Sequence, residues 1–205
     1  MVSTRHLFLS TVAVMTVVLT AAACSSDDAA RADDDDELEE IRPGVTTEET
    51  EDGIMIEYLD TEGDGHHDIV RHVEIYSLPH DPDRKLRRIH KLEIDVTGDQ
   101  TINVRRHYDE HGNLSLEEND QSLDGQMDTF IYYSNGELTR KEFKDDTGEY
   151  IEERRIYYDG QLTRVETDHS GDGNIDRWEY YEEGVLTRIG RDTVGDESAD
   201  TWQLR

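Results

Sequence analysis

The chain of 205 residues carries 50 Asp and Glu side chains against 21 Lys and Arg, which gives a formal charge of −29 at pH 7. This excess of acid argues against nucleic acid and anionic lipid headgroups as partners, because no basic surface is available to neutralise phosphate. Only 34% of the residues are hydrophobic, which argues against a thick globular core. The acidity favours cations, or simply solubility.

The first predicted element is an export signal over residues 1–23. A basic start precedes an apolar run at about 7–18, and small residues follow up to Cys24, the only cysteine. This order is typical of a secretory signal peptide, and the run is short for a membrane span. LTAAAC followed by SSDD resembles the lipobox of bacterial lipoproteins, although alanine replaces the commoner leucine three places before Cys24.

The lipobox resemblance implies acyl chains on Cys24, which would hold the exported protein on a membrane without a spanning helix. Ser25, rather than aspartate, follows the cysteine. By the sorting rules of such lipoproteins, this predicts the outer membrane of a Gram-negative bacterium. The alternative is a free thiol that follows a signal sequence by chance.

Residues 24–52 form an acidic segment after the signal. It contains DDDDELEE, one Pro-Gly pair and few apolar side chains. Such a segment buries too little surface to fold, and its charges repel one another. We therefore expect an extended, disordered linker that holds the rest of the chain away from the membrane.

From about Gly53 the chain repeats itself. Four copies lie 24 residues apart, and they read GNLSLEEND, GELTRKEFK, GQLTRVETD and GVLTRIGRD from positions 112, 136, 160 and 184. An aromatic segment precedes the copies in a constant register. An earlier copy is stretched, because SLPHDPDRK (77–85) lengthens its turn. GIMIEYLD (53–60) and TWQLR (201–205) are half-copies that begin and end the array.

Each unit reads as a β-hairpin. IDRWEYY alternates, with Trp178 and Tyr180 on one face and Glu179 and Tyr181 on the other. A short turn with glycine follows, and VLTRI is the returning strand. The predicted fold over 53–205 is all-β, a linear antiparallel meander that forms an open solenoid or an extended twisted sheet. A helical alternative would place the repeated glycines inside or at the ends of very short helices.

The repeat resembles two known families. YYDGQLTRVE (157–166) is similar to the YD repeat of the Rhs and teneurin group, and YYSNGELTRKEF (132–143) is similar to MORN-like repeats of a bacterial antitoxin-type family. Known YD arrays form large shells around a toxic cargo, for which this chain is too short. The resemblance covers roughly 53–205 and supports the architecture more than a function.

Residues 168–179, DHSGDGNIDRWE, match the EF-hand calcium loop at nearly every position. Gly173 takes the sharp bend at position six. The flanking segments are strands rather than helices, and the core is also similar to thrombospondin type 3 repeats. We therefore expect calcium as a structural cofactor, without the helix opening of a sensor. The predicted ligands at positions one, three, five, seven, nine and twelve are Asp168, Ser170, Asp172, Asn174 (through its carbonyl), Asp176 and Glu179.

Two further loops keep most of this pattern and lack the twelfth ligand. They supply the candidate ligands Asp60, Glu62, Asp64 and Asp68, and Asp120, Ser122, Asp124 and Asp128. The loops 95–103, 144–152 and 192–200 have lost more of it and are not predicted to bind. The alternative for every copy is a polar turn between strands, where Asp and Gly are favoured anyway.

No catalytic motif accompanies these features, so the sequence predicts no enzyme. The nine histidines are best explained as surface residues. The predicted function is that of a membrane-anchored lipoprotein acting as a calcium-stabilised β-repeat scaffold or binding module. Rows of Tyr and Trp on a sheet suit a protein or a glycan partner. The alternative, implied by the antitoxin-type resemblance, is an inhibitory or immunity-like binding protein.

Overall fold

The computed structural model describes residues 45–50 and 53–205. The predicted signal peptide, Cys24 and most of the predicted linker lie outside the described residues. In the described part, 13 strands form one antiparallel sheet in which each strand pairs with its neighbours in sequence. No described segment forms a helix that could cross a membrane. The predicted all-β meander is confirmed, and the sheet does not close on itself.

The strands follow one another at short intervals. In chain order they are β1 (Val45–Glu49), β2 (Ile54–Leu59), β3 (Ile69–Leu78), β4 (Asp81–Ile94), β5 (Val104–Tyr108), β6 (Leu114–Asn119), β7 (Thr129–Ser134), β8 (Glu137–Lys144), β9 (Ile151–Tyr158), β10 (Gln161–Thr167), β11 (Arg177–Glu182), β12 (Val185–Arg191) and β13 (Thr201–Leu204).

Two different kinds of connection alternate along the chain. Because the sheet is an antiparallel meander, alternate connections lie on opposite edges. One edge, the turn edge, holds tight turns such as Asn135-Gly136, Asp159-Gly160 and Glu183-Gly184. Both residues of each pair have positive φ, as a two-residue type I′ hairpin requires. The other edge, the loop edge, holds the aspartate-rich loops 60–68, 95–103, 120–128, 145–150, 168–176 and 192–200.

The threonine of the repeated Leu-Thr-Arg triplet forms a β-bulge. In β12 the pairing skips Thr187, so that Tyr181 faces Leu186 while Tyr180 faces Arg188. The Thr187 hydroxyl donates to the carbonyl of Tyr180 at 3.1 Å. Thr139 and Thr163 make the same bond at the same distance in their own hairpins. A bulge bends and twists the sheet locally, so the three hairpins share the same local bend.

The structure extends the sheet beyond the predicted repeat boundary. Strand β1 lies in the segment 24–52, for which we predicted a disordered linker, and it pairs with β2 along its whole length. Val45, Thr46 and Thr47 suit a strand, and Gly53 at φ 77° closes the turn into β2. The segment GIMIEYLD is therefore not a half-copy, because β1 completes its hairpin.

The stretched copy also differs from expectation. The segment SLPHDPDRK was expected to lengthen the turn, but only Pro79 and His80 lie between β3 and β4. Most of the extra residues instead lengthen the two strands to 10 and 14 residues. Register shifts within the β3–β4 pair absorb the mismatch.

The sheet is one layer thick, because each described strand contacts only its neighbours in the meander. Among the described residues, the buried apolar side chains are few: Val73, Val165 and Ile189, of which Ile189 is 1% exposed. The alternation of the strands places all three on the same face. The opposite face, which we call the ladder face, carries charged and aromatic side chains, and no described segment covers either face.

Candidate functional site

The loop edge gathers all six aspartate-rich loops. In the five nine-residue loops, counted from the first aspartate as position one, positions one and five are always Asp, and position nine is Asp or Asn. Positions four and six have positive φ in every copy. The five loops therefore share one conformation, including the two that we did not expect to bind calcium.

The loop 168–176 shows what the acids do. The Asp168 carboxylate accepts the backbone N–H groups of Gly171 and Gly173, both at 2.7 Å. Asp176 accepts the N–H groups of His169 and Ser170. Asp172 accepts the N–H of Asn174 at 2.9 Å. The carboxylates thus satisfy backbone donors that the tight loop leaves without partners.

The same bonds recur in the other loops. Asp60 accepts from Gly63 and Gly65, and Asp95 accepts from Gly98 and Gln100. Asp192 accepts from Gly195 and Glu197 in the last loop. The first aspartate is therefore a loop-capping residue in every copy, whatever the quality of its match to a calcium loop.

These bonds lower the pKa of Asp60, Asp95, Asp168 and Asp192. Burial alone would raise the pKa of Asp168, but the N–H groups of Gly173 and Gly171 outweigh it and the pKa falls below its ordinary value. The same balance lowers the pKa of Asp95. For Asp60 the N–H of Gly65 is the largest cause of the lowered pKa. The capped carboxylates are therefore held in their ionised form.

Neighbouring loops are joined to one another. The N–H of Asp168 donates to the carbonyl of Glu152 at 2.9 Å, and the N–H of Asp192 donates to the carbonyl of Asp176 at the same distance. Gly173 lies against the ring of Tyr150, and a Cβ at position 173 would come within 2.6 Å of that ring. Glycine is therefore required there by its φ of 92° and by the stacking of one loop on the next.

The predicted calcium ligands are occupied by hydrogen bonds within the protein, and Ser170 donates to Asp168 at 3.3 Å. Within residues 45–50 and 53–205, no three His, Cys, Asp or Glu side chains are grouped as a metal site would require. Glu179, the predicted twelfth ligand, lies on β11, where it accepts bonds from Arg177 and Tyr181. Calcium binding would require the loop aspartates to share or exchange their backbone partners, and it stays a prediction.

A cleft of about 470 Å³ opens on the loop edge between the loops 120–128 and 145–150. The second loop has only six residues, and its shortness leaves the gap. Lys144 is the only basic group in the lining of this cleft, against the four carboxylates of Asp124, Asp128, Asp145 and Asp146. The loop edge is therefore strongly negative and would attract cations.

The ladder face carries a row of alternating charges that crosses the strands. Arg154 bridges Glu142 and Glu166 at 2.7 and 2.8 Å, and the two carboxylates belong to residues that are only 8% and 7% exposed. Arg105 bridges Glu93 and Glu118 in the same way at 2.9 and 2.7 Å. Burial alone would raise the pKa of Glu93, but His72, Arg105 and Lys91 lower it from 4.5 to about 2.

Toward the C-terminal strands, tryptophan and glycine replace the charged residues of this row. After Glu166 it continues through Trp178, Gly190 and Trp202. Beside it, the Arg188 guanidinium carbon lies 4.2 Å from the ring centre of Tyr180 and 5.2 Å from that of Trp202. We call Trp178, Tyr180, Arg188 and Trp202 the aromatic patch.

Comparisons with known proteins give this chain no family. No protein-family model matches it, and no curated protein matches it. Among solved structures it is similar to a chain of the Glycosylation Associate Protein (Gap123) complex from Streptococcus agalactiae, at 17% identity and a TM-score of 0.29. The match covers 60% of this chain and 19% of that chain, so the present chain spans only a small part of that protein. A similarity at this level carries no argument about function.

Sequence reasoning missed the charge ladder and the aromatic patch. The bridging role of Arg154 depends on the strand register, which places its side chain between two glutamates of neighbouring strands. The signal for the patch was present in the repeats, because LTRKE and LTRVE become LTRIG when Gly190 replaces the glutamate. Nothing in the local sequence shows that Trp202 lies over that glycine.

Proposed function

We propose that this protein is an exported, membrane-anchored binding module whose single-layer β-repeat sheet presents an open face to a partner outside the cytoplasm. The observation that carries the proposal is the ladder face, a broad surface of charged and aromatic side chains that no described segment covers. Repeat sheets of this kind use such extended surfaces for binding, and exposed Tyr, Trp and Arg are the side chains that dominate interfaces.

The anchoring part of the proposal is supported by the sequence of residues 1–52. A signal peptide, a cysteine in the lipobox position and an acidic linker place the sheet at a distance from a membrane, in our proposal the outer membrane of a Gram-negative cell. Fractionation of cells that express the full chain tests this: the protein should follow the outer membrane, and Cys24→Ser should release it into the periplasm. A Cys24→Ser protein that stayed in the membrane would contradict lipid anchoring.

The calcium part is supported by the match of 168–179 to a calcium loop and by the concentration of six acidic loops on one edge. A bound ion would offset carboxylate repulsion between neighbouring loops. Calorimetric titration of the exported Cys24→Ser chain with calcium, and with magnesium as control, should show saturable binding and a higher melting temperature. The dissociation constant should be about 0.1–1 mM, as in extracellular modules.

Asp172→Asn is the sharpest variant for this titration. Asp172 holds one N–H of its loop, whereas Asp168 holds several, so the loop should survive the substitution. Asp109→Asn is the matched control, because Asp109 caps a tight turn on the opposite edge. Loss of calcium binding in Asp172→Asn alone would support the site. No heat with the parent chain would leave the loops as aspartate-capped turns.

The binding part is tested by photo-cross-linking on intact cells. A photoreactive residue at Leu116, in the middle of the ladder face, should yield a discrete partner adduct, whereas one at Tyr158 on the turn edge should not. Adducts of equal yield at both positions, or at neither, would contradict a partner on the ladder face.

A further inference from the structure

The aromatic patch departs from the repeat in a way that frees one cation. In the preceding repeats, the arginine of Leu-Thr-Arg contacts the glutamate two residues on: Arg140 with Glu142 at 3.3 Å and Arg164 with Glu166 at 2.8 Å. In the last repeat Gly190 takes the place of that glutamate. Among the described residues, Arg188 forms no ion pair and no hydrogen bond to a side chain, and it is exposed.

The aromatic rings hold this arginine in place. Tyr180 and Trp202 lie 5.8 Å apart between ring centres, and both contact the guanidinium through their faces. Trp202 also lies on Gly190, where a Cβ would approach its ring to 3.0 Å. The guanidinium is therefore positioned by stacking, while its N–H donors remain available.

The composition of the patch is that of a binding hot spot. Both tryptophans of the chain lie in it, together with a tyrosine and an arginine, the residue types that carry most interface energy. Trp202 is 52% exposed and the neighbouring Leu204 is 81% exposed. The two strands β12 and β13 contain no Asp or Glu, in a chain with a formal charge of −29.

We propose that the aromatic patch binds an acidic polypeptide segment, with a glutamate carboxylate of the partner accepting hydrogen bonds from Arg188. This rests on the proposed binding function and names its partner chemistry. The partner's glutamate would take the role that Glu142 and Glu166 play within the chain. The methylene groups of adjoining glutamate side chains would pack on Trp202 and Leu204, which a carboxylated sugar polymer could not match in apolar contact.

The two tryptophans make the test direct, because they report on the patch itself. Intrinsic fluorescence of the exported Cys24→Ser chain is titrated with poly-L-glutamate at about 0.15 M NaCl, where charges more than about 8 Å away are screened. Polygalacturonate, a carboxylated sugar polymer, is the comparison probe. We expect a saturable change with poly-L-glutamate and a much weaker one with polygalacturonate.

Two arginine variants separate the patch from the general charge of the face. Arg188→Gln should weaken poly-L-glutamate binding about tenfold or more, as expected when one partner of a charged contact is removed. Arg140→Gln is the matched control, since that arginine has Glu142 as its partner and contacts no residue of the patch. It should change affinity by less than about twofold. Circular dichroism of both variants confirms that they are folded.

Equal binding of the two polymers, equal effects of the two variants, or no saturable change with poly-L-glutamate would each overturn the inference. In those cases the cross-link at Leu116 decides whether the proposed binding function still holds. A discrete adduct at Leu116 would support a binding function whose partner contacts another part of the ladder face. If neither the expected poly-L-glutamate binding nor the Leu116 adduct is observed, the proposed binding function is overturned as well.

Discussion

Two stretches of the ladder face occupy the same row of the sheet and behave differently. In the first, Glu142, Arg154 and Glu166 satisfy one another across three strands. In the second, Trp178, Gly190 and Trp202 fill the next three positions, and the neighbouring arginine keeps its donors free. The backbone devices around both stretches are the same: a tight turn, a threonine bulge and an aspartate-capped loop. The turns, bulges and loops determine the backbone of the sheet. The side chains of the ladder face can therefore either pair with one another or bind a partner.

The largest difference should appear when the arginine of each stretch is removed. Arg154→Ala removes the cation that two nearly buried carboxylates share and leaves each with one arginine, Arg140 or Arg164. It should lower the free energy of unfolding by about 3 kcal/mol, as expected when hydrogen bonds between charged groups are lost. Arg188→Ala removes a guanidinium that is exposed and has no carboxylate partner, and the loss should stay below about 1 kcal/mol. Urea denaturation of both variants measures the contrast, and equal losses would contradict the division of the face.

The charged row of the ladder face also contains Glu93, whose contribution to stability should depend on pH. Glu93→Gln should lower the free energy of unfolding at pH 7 by about 2–3 kcal/mol, because His72, Lys91 and Arg105 lose their carboxylate partner. The folded pKa of Glu93 is about 2, against an ordinary 4.5. A lowered pKa means that the contribution is complete above the ordinary value and is lost as the pH falls toward the folded one.

Parent and variant should therefore differ by a constant amount above about pH 5 and converge as the pH approaches 2. Urea unfolding at four pH values across this range measures the difference. A gap that remained at pH 2 would show that Glu93 acts through packing rather than through its charge.

Much of the fold follows from the sequence, because its determinants are local. Glycine pairs with positive φ, alternating side chains and a constant spacing are enough to predict the hairpins and their order. The edge strand β1 was missed because Val45 to Glu49 lacks the aromatic signature of the other units, and its place depends on pairing with β2.

The site is harder to predict, because one residue pattern serves two purposes. Aspartate at positions one, five and nine suits a calcium loop, and it equally suits a loop that caps its own backbone N–H groups. The five loops keep these positions, whereas the positions that matter mainly for calcium vary: position three is Glu62, Thr97, Ser122, Ser170 or Val194. The conserved spacing within the chain is thus explained by loop geometry before any ion is added.

Substitutions at the aromatic patch can restore the arginine–glutamate pairing of the earlier repeats. Gly190→Glu restores the glutamate of the earlier repeats, but its Cβ would meet Ala199 at 2.9 Å and the Trp202 ring at 3.0 Å. The single variant should therefore lose about 2 kcal/mol through overpacking. Adding Trp202→Ala should recover part of that loss, since the ring is gone and Arg188 gains a carboxylate partner.

A double-mutant cycle of unfolding free energies measures this coupling. If the double variant is no more stable than Gly190→Glu alone, then Ala199 rather than Trp202 blocks the position. The double variant should also lose poly-L-glutamate binding, because its own glutamate would occupy Arg188.

The smallest expected effect concerns the loops that lead into the two stretches. Position six is Gly173 in the loop beside the ladder and Glu197 in the loop before β13, where φ is 62°. A non-glycine residue in this region is strained, so Glu197→Gly should raise the free energy of unfolding by about 0.5–1 kcal/mol once the greater freedom of unfolded glycine is subtracted. Gly173→Ala is the opposite control, because it adds strain and a contact with Tyr150. Hydrogen exchange of the β12–β13 amides shows where the stability is gained. Slower exchange confined to these amides in Glu197→Gly would show that the backbone of the parent chain is less stable at the aromatic patch than at Glu142, Arg154 and Glu166. Slower exchange spread evenly over the sheet would show that the two stretches differ only in their side chains.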